Sequence, residues 1–182
     1  MIFRAVEDAD LIGRVCQGDV EAFNLLVSRW EKRVYNYLLR LTGNVEDSLD
    51  LSQEVFLKTY QSIRKLEDTA RFGPWLFRIA HNEAYSLLRR KRPEFHPEDA
   101  TFADKLPAPG MALDLSLAVA GALDRLSPEQ REVVVLKVYQ GFKFEEIADV
   151  LEAPVSTVKS RLYTALDVLK NQLAPVQARG NR

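Results

Sequence analysis

Asp47, Asp50 and Glu54 recur at steps of three and four, a spacing that gathers three carboxylates on one helical face. Paired carboxylates are the residue types of general acid–base work. No partner histidine, cation or glycine-rich loop is expected beside them. The ridge therefore reads either as a solvated face or as a docking surface for a partner protein, with Gln53 and Phe56 at its centre. The other reactive side chains are sparse. Cys16 is the single cysteine, so no intramolecular disulfide can form, and it reads as a small buried apolar residue in a reducing compartment. His81 and His96 lie far apart with no cysteine near them, which supports no metal site. No glycine-rich phosphate loop and no nucleophile elbow is present. The residues predict no enzyme, no cofactor and no small-molecule substrate.

Contacts to nucleic acid are better supported. Arg89, Arg90, Lys91 and Arg92 end a helical pattern with four cations in a row. The helix dipole accounts for one or two of them, and phosphate contact accounts for four. Phe72 precedes Gly73-Pro74 in an expected bend, where its ring could be presented to solvent and stack an unpaired base, worth roughly 1–3 kcal/mol. Trp75 belongs on the inner face. Asn82 and Ser86 lie one turn apart on the same helix, and asparagine suits a base edge.

The stretch from Phe144 to Leu166 reads as a helix-turn-helix. Ile147, Ala148 and Leu151 mark the inner face of a short helix that Glu152, Ala153 and Pro154 break. A second helix is expected to start at Ser156 or Thr157, either of which could cap it. Its inner stripe is Val158, Leu162, Ala165, Leu166, Leu169 and Leu173, and its outer face offers Lys159, Ser160, Tyr163 and Thr164. This is the arrangement in which a second helix enters a major groove. The formal net charge of the 182 residues is -1, so no global basic field accompanies these local features.

The elements that position these residues are all helical. Asp8 to Gln17, Val20 to Leu41 and Asp47 to Tyr60 show helical periodicity, with stops at Gly18 and at Thr42-Gly43-Asn44. A further helix opens at Gly73-Pro74 and ends at Arg92. Residues 93–113 hold four prolines and four acids against one lysine, which predicts an extended acidic linker. Ser127-Pro128-Glu129-Gln130 then has the form of a capping box with proline at the first helical position, and its helix runs to Gly141. The expected class is all-α: two small helical domains, 1–92 and 114–174, joined by the linker and followed by a flexible tail at 175–182. No apolar run approaches the length of a membrane span, and the N-terminus is not a signal peptide, so a cytoplasmic protein is expected.

Several segments together resemble the extracytoplasmic-function (ECF, group IV) branch of the bacterial sigma-70 family. DSLDLSQEVFLKTY, from Asp47 to Tyr60, resembles its core-polymerase-binding helix, and RFGPWLFRIAHNEAYSLLRRKR, from Arg71 to Arg92, resembles its −10 helix. LSPEQREVVVLKVYQGFKFEEIADVL followed by PVSTVKSRL resembles its −35-binding domain. The resemblance implies that Asp47, Asp50, Gln53, Glu54 and Phe56 engage the clamp helices of the largest RNA polymerase subunit, with the flap as a second contact. It implies that Phe72, Gly73 and Asn82 help form a pocket for a base flipped from the −10 element, with Ser86 nearby and Arg89 and Arg90 on the backbone. It implies that Thr157, Lys159, Ser160, Arg161, Tyr163 and Thr164 read or clamp the −35 element. It further implies an anti-sigma factor as controlling partner. The chain departs from the family's frequent residues at Ser86, Ser156 and Thr164. An arginine at 164 could make a bidentate contact to guanine, and threonine cannot. On the residues alone, a dimeric helix-turn-helix repressor or activator and an all-α enzyme are the rival readings.

Overall fold

The computed structural model describes residues 6–91, 122–123 and 125–177. The proposed linker at 93–113, Arg92, His96 and residues 178–182 lie outside them. Every regular element among the described residues is helical. Helix α1 (Asp8–Cys16) is tied to the next helix by Asp8, whose carboxylate accepts from Arg29 Nη1 at 2.8 Å and from Trp30 Nε1 at 2.9 Å. Cys16 is half-buried against the core, less enclosed than expected.

Helix α2 (Val20–Thr42) starts at Asp19, whose side chain accepts from the Ala22 amide at 3.1 Å. That bond, with Arg14 beside it, holds the Asp19 carboxyl below the usual carboxylate range. Gly43 ends the helix in the left-handed region, φ 69. Asn44 then caps α3 (Val45–Ser62) by accepting from the Asp47 amide at 3.0 Å. A residue that reads as a helix stop is also a helix start, which places the N-terminus of α3 two residues ahead of Asp47. Two short 3-10 turns, Ile63–Lys65 and Thr69–Arg71, lead into α4 (Phe72–Lys91). Leu11, Leu26, Val34, Leu38, Leu51, Val55 and Ala80 are buried among these four helices.

In the second domain, α5 starts with a complete capping box. Gln130 N donates to Ser127 Oγ at 3.2 Å, and Ser127 N donates to Gln130 Oε1 at 3.1 Å. Helix α5 (Pro128–Val134) is regular, but Val135–Tyr139 widens into a π-type turn instead of carrying the α-helix to Gly141. Val133 to Leu136 are all buried, so packing overrides the low helix propensity of the valine run. Helix α6 (Phe144–Leu151) ends at Glu152, the one non-glycine residue with positive φ among those described, at φ 51.

Helix α7 (Val155–Gln177) corrects three expectations. Val158 N donates to the Pro154 carbonyl at 3.1 Å, so the helix starts at Val155, and Ser156 and Thr157 lie inside its first turn and do not cap it. The buried stripe runs through Val158, Leu162 and Ala165, and Leu166 falls off its edge into solvent. The helix also continues through Gln177, because elongation needs no new nucleus, so the first residues assigned to a tail are helical.

The two domains share one continuous core. Phe142, just before α6, packs its ring on Phe77 of α4 with centroids 5.2 Å apart at 84°. Replacing Ser127 by alanine removes the cap of α5. Urea unfolding should show a loss of about 1 kcal/mol with the m-value unchanged.

Candidate nucleic-acid and partner interfaces

The acidic ridge lies on the outer side of α3, and its surroundings differ from the expectation. Cations do stand beside it. Lys91 Nζ donates to both oxygens of Asp47 at 2.7 Å, and Lys58 lies 3.6 Å from Glu54 and 2.6 Å from Glu83. The hydrogen bond to Glu83 leads the effects that raise the Lys58 ammonium above its usual value, so it stays charged. Lys91 and Glu83 both come from α4, a helix whose alignment with α3 the ridge's own spacing could not reveal. Asp47, Asp50, Glu54, Lys58, Ser86 and Arg90 line one shallow groove.

Phe56 is not at the centre of a docking surface. It is 8% exposed, because the inward stripe through Leu51, Val55 and Thr59 takes it along. Beyond Val45 at its first position, the exposed apolar residues of α3 are Leu49, Leu57 and Tyr60, with Leu57 51% exposed. With Asp50 and Gln53 they form a mixed polar and apolar face that sequence reasoning missed. The signal was available: α3 carries more apolar residues than one buried stripe accommodates.

Helix α4 corrects a second expectation. Phe72 does not present its ring in a bend. It is the first residue of the helix, 2% exposed, and it meets Trp30 edge-on at 5.6 Å. Gly73 is buried as well, and a Cβ there would stand 2.8 Å from Trp30 Cη2 and 3.3 Å from Phe142 Cε1. Asn82 is exposed, while Ser86 is half-buried, and they border different clefts: Asn82 shares one with His81, Tyr85 and Arg89, and Ser86 shares the acidic groove with Arg90. Arg89, Arg90 and Lys91 end the helix exposed.

In the helix-turn-helix, Lys159, Ser160, Tyr163 and Thr164 form one exposed face of α7, as their spacing predicts. Lys159 Nζ sits 5.4 Å from the Phe144 ring centroid, and Thr164 Oγ1 turns back to the Ser160 carbonyl at 2.9 Å. Thr157 and Arg161 lie apart from that face. Both are half-buried beside the cleft that holds Asn82, and Arg161 Nη2 pairs with Glu129 at 2.8 Å.

An acidic and apolar face on α3, a basic end on α4 and a polar face on α7 make three candidate binding surfaces on one small chain. Two family models match in this order: Sigma-70 region 2 over residues 26–94 and Sigma-70, region 4 over residues 116–169. The ECF RNA polymerase sigma-E factor of Haemophilus influenzae is 33% identical, over 93% of this chain and 95% of its own length. The ECF RNA polymerase sigma factor SigW of Bacillus subtilis is 30% identical, over 89% of this chain and 94% of its own. The chain belongs to the ECF branch of the sigma-70 family. Among solved structures, CnrH in complex with the cytosolic domain of CnrY superposes with TM-score 0.68 at 28% identity, over 92% of this chain and 97% of that one. The sigma factor RpoE in complex with the anti-sigma factor NepR, from Bartonella quintana, gives 0.70 at 27% identity, over 84% and 96%.

In this sigma factor, residues expected to face the −10 and −35 elements are brought together. Asn82 and Arg89 from region 2 and Thr157 and Arg161 from region 4 line one cleft of about 740 Å³. Its floor includes Glu132, whose side chain is 3% exposed. Tyr37 Oη donates to Glu132 Oε1 at 2.5 Å, Tyr85 Oη donates to Oε2 at 2.8 Å, and His81 Nδ1 lies 2.8 Å from Oε1. Burial, reinforced by the Glu132 charge, pushes both tyrosine hydroxyls well above the ordinary phenol value, so they remain donors. Arg33 adds bonds to Gln140 Oε1 and to the Gln140 carbonyl, each 3.0 Å. Outside this cleft, Arg71 pairs with Asp149, and Arg78 pairs with Glu152 at its edge, both pairs exposed.

Gly73→Ala places a methyl where the Trp30 ring stands. The indole is held by Asp8 on its N–H and by Arg33 over its face at 4.4 Å, so it has little room to yield. Thermal or urea unfolding should show a net loss of about 1 kcal/mol or more despite alanine's better helix propensity.

Proposed function

We propose that this sigma factor docks on core RNA polymerase through the outer face of α3, and holds promoter DNA through the basic end of α4 and the exposed face of α7. In this reading Asp50 and Gln53 contact the clamp helices of the largest subunit, with Leu49, Leu57 and Tyr60 as the apolar part of the surface. Asp47 and Glu54 border it, and their charges are balanced by Lys91 and Lys58. Region 4 adds the contact to the flap. The single observation that carries the docking surface is the co-exposure of three large apolar side chains with Asp50 and Gln53 on one helix. An exposed apolar cluster ringed by polar groups marks a protein interface.

Arg89 and Arg90 serve the phosphate backbone, and Asn82 reads a base of the −10 element. Phe72 and Gly73 act by shaping the start of α4, since neither is open to solvent. Lys159, Ser160, Tyr163 and Thr164 face the −35 element, and Thr157 and Arg161 join them when the cleft is open. The domains divide as 1–92 and 114–177 about a linker at 93–113, a reading supported by the order of the two family models and by the helix that runs to Gln177. The reading makes the chain a cytoplasmic initiation factor with no covalent chemistry, no cofactor and no small-molecule substrate. No helix among the described residues is long and apolar enough to cross a membrane. An anti-sigma factor is its proposed controlling partner, by analogy with the NepR complex.

Asp50→Ala and Gln53→Ala should each weaken association with core polymerase about tenfold, while the melting temperature stays near wild type, because neither side chain is buried. Titration of labelled core enzyme measures this, and unchanged affinity in both variants would remove α3 from the interface. Lys159→Ala should reduce the salt slope of promoter binding by the holoenzyme by about 1, the signature of one lost phosphate contact. A slope equal to wild type would take Lys159 off the DNA.

A further inference from the structure

We infer that Thr164 reads thymine in the −35 element through its methyl group, so that the promoters of this chain carry a thymine, and not a guanine, opposite that residue. The inference deepens the promoter-binding reading above and rests on it. It starts from the one proton that Thr164 has to give. Thr164 Oγ1 donates to the Ser160 carbonyl at 2.9 Å, one turn back along α7. A threonine hydroxyl carries a single hydrogen, so none is left for the acceptor atoms of a purine edge or for O4 of thymine. The same bond holds the stiff, β-branched side chain in place on its own helix. Thr164 is exposed, so its methyl is what it offers to a groove. In the major groove the C5 methyl of thymine is the apolar group that matches it.

The neighbouring side chains leave this position without a guanine reader. Guanine is recognised at O6 and N7 by a pair of donors, which arginine or lysine supplies. Arg161 is the sole arginine of α7, and it lies half-buried off the exposed face, paired with Glu129 of α5 at 2.8 Å. It can join the contact at an edge but aims no guanidinium at a base from this face. Lys159 leans over the Phe144 ring at 5.4 Å, and Lys137 stands over the same ring at 4.8 Å. Two cations gathered on one ring at the start of α6 suit a phosphate, so Lys159 serves the backbone rather than a base. Asp167, exposed three residues beyond Thr164, sets a carboxylate at the far end of the face, where it repels phosphate and ends the DNA-facing stretch. Between these limits stand Ser160, Tyr163 and Thr164. Tyr163, 58% exposed, adds ring surface to the same face. The set has no forked donor and presents a ring and a methyl.

The test uses holoenzyme, assembled from core RNA polymerase and the full chain. Its probe is a promoter fragment that this holoenzyme selects from a genomic library, with the −35 element then randomised. Bound DNA is sequenced for wild type and three variants at Thr164, an exposed position where each should keep the fold. Wild type should enrich thymine at one position. Thr164→Ser keeps the hydroxyl without the methyl and should lose that preference. Thr164→Val loses the hydroxyl and should retain it. Thr164→Arg should change it to guanine. Replacing that one thymine by deoxyuracil then removes only the base methyl. This should weaken wild-type holoenzyme about fourfold, the weight of one methyl returned to water. It should leave Thr164→Ser unchanged, the signature of a direct contact in a double-mutant cycle. A preference kept by Thr164→Ser and lost by Thr164→Val would assign the reading to the hydroxyl and overturn the inference. A deoxyuracil penalty of equal size in wild type and Thr164→Ser, or none in either, would overturn it too. An upstream element that is enriched identically by all four proteins removes Thr164 and leaves the −35 role of α7 standing. If wild-type holoenzyme enriches no upstream element, that role falls and the inference falls with it.

Discussion

A missing side chain governs how this molecule packs. At Gly73 there is no Cβ, and the space is taken by Trp30 from α2 and Phe142 from the second domain. Around that point Trp30, Phe72, Phe77 and Phe142 meet edge to face, which is the favoured geometry for aromatic rings. The same seam fixes the start of α4, and α4 carries Asn82, Arg89 and Arg90. It also receives the loop that leads into the helix-turn-helix. A change at this one position would therefore be felt by the region 2 core, by the aim of the basic helix and by the contact between domains.

Next to the aromatic seam the interface turns polar. Tyr37 is fully buried and Tyr85 partly so, and both hydroxyls find Glu132. There the buried polar groups satisfy one another across the two domains. At a net charge of -1, a chain with local basic ends and no general basic field binds DNA strongly only when a larger assembly adds contacts.

The helices and their order were legible in the sequence because periodicity and caps are local. Ser127-Pro128-Glu129-Gln130 has the capping box its letters imply, and the polar face of α7 lies where its spacing puts it. What was not legible depended on a second element. Phe72 reads as an exposed ring because a glycine and a proline follow it, but Trp30, more than forty positions away, buries it. Phe56 follows its neighbours inward, while Leu57 beside it carries the exposed apolar character. Glu132 is one acid in a run of charged and apolar residues, and its three partners lie 47 to 95 positions away. No local pattern marks such a residue. Of the cations beside Asp47 and Glu54, Lys91 was hidden because it arrives from α4, whereas Lys58, four residues after Glu54 on α3, was legible from spacing alone.

The central claim is that this chain directs core RNA polymerase to two-part promoters. Transcription in vitro on a library of genomic fragments, with core enzyme in the presence and absence of the purified chain and with mapping of transcript starts, tests it most directly. The account predicts new starts that appear only when both proteins are present, each at a fixed distance from a shared pair of upstream elements. Absence of chain-dependent starts, together with tight polymerase-independent binding of the chain to a palindromic duplex, would contradict it.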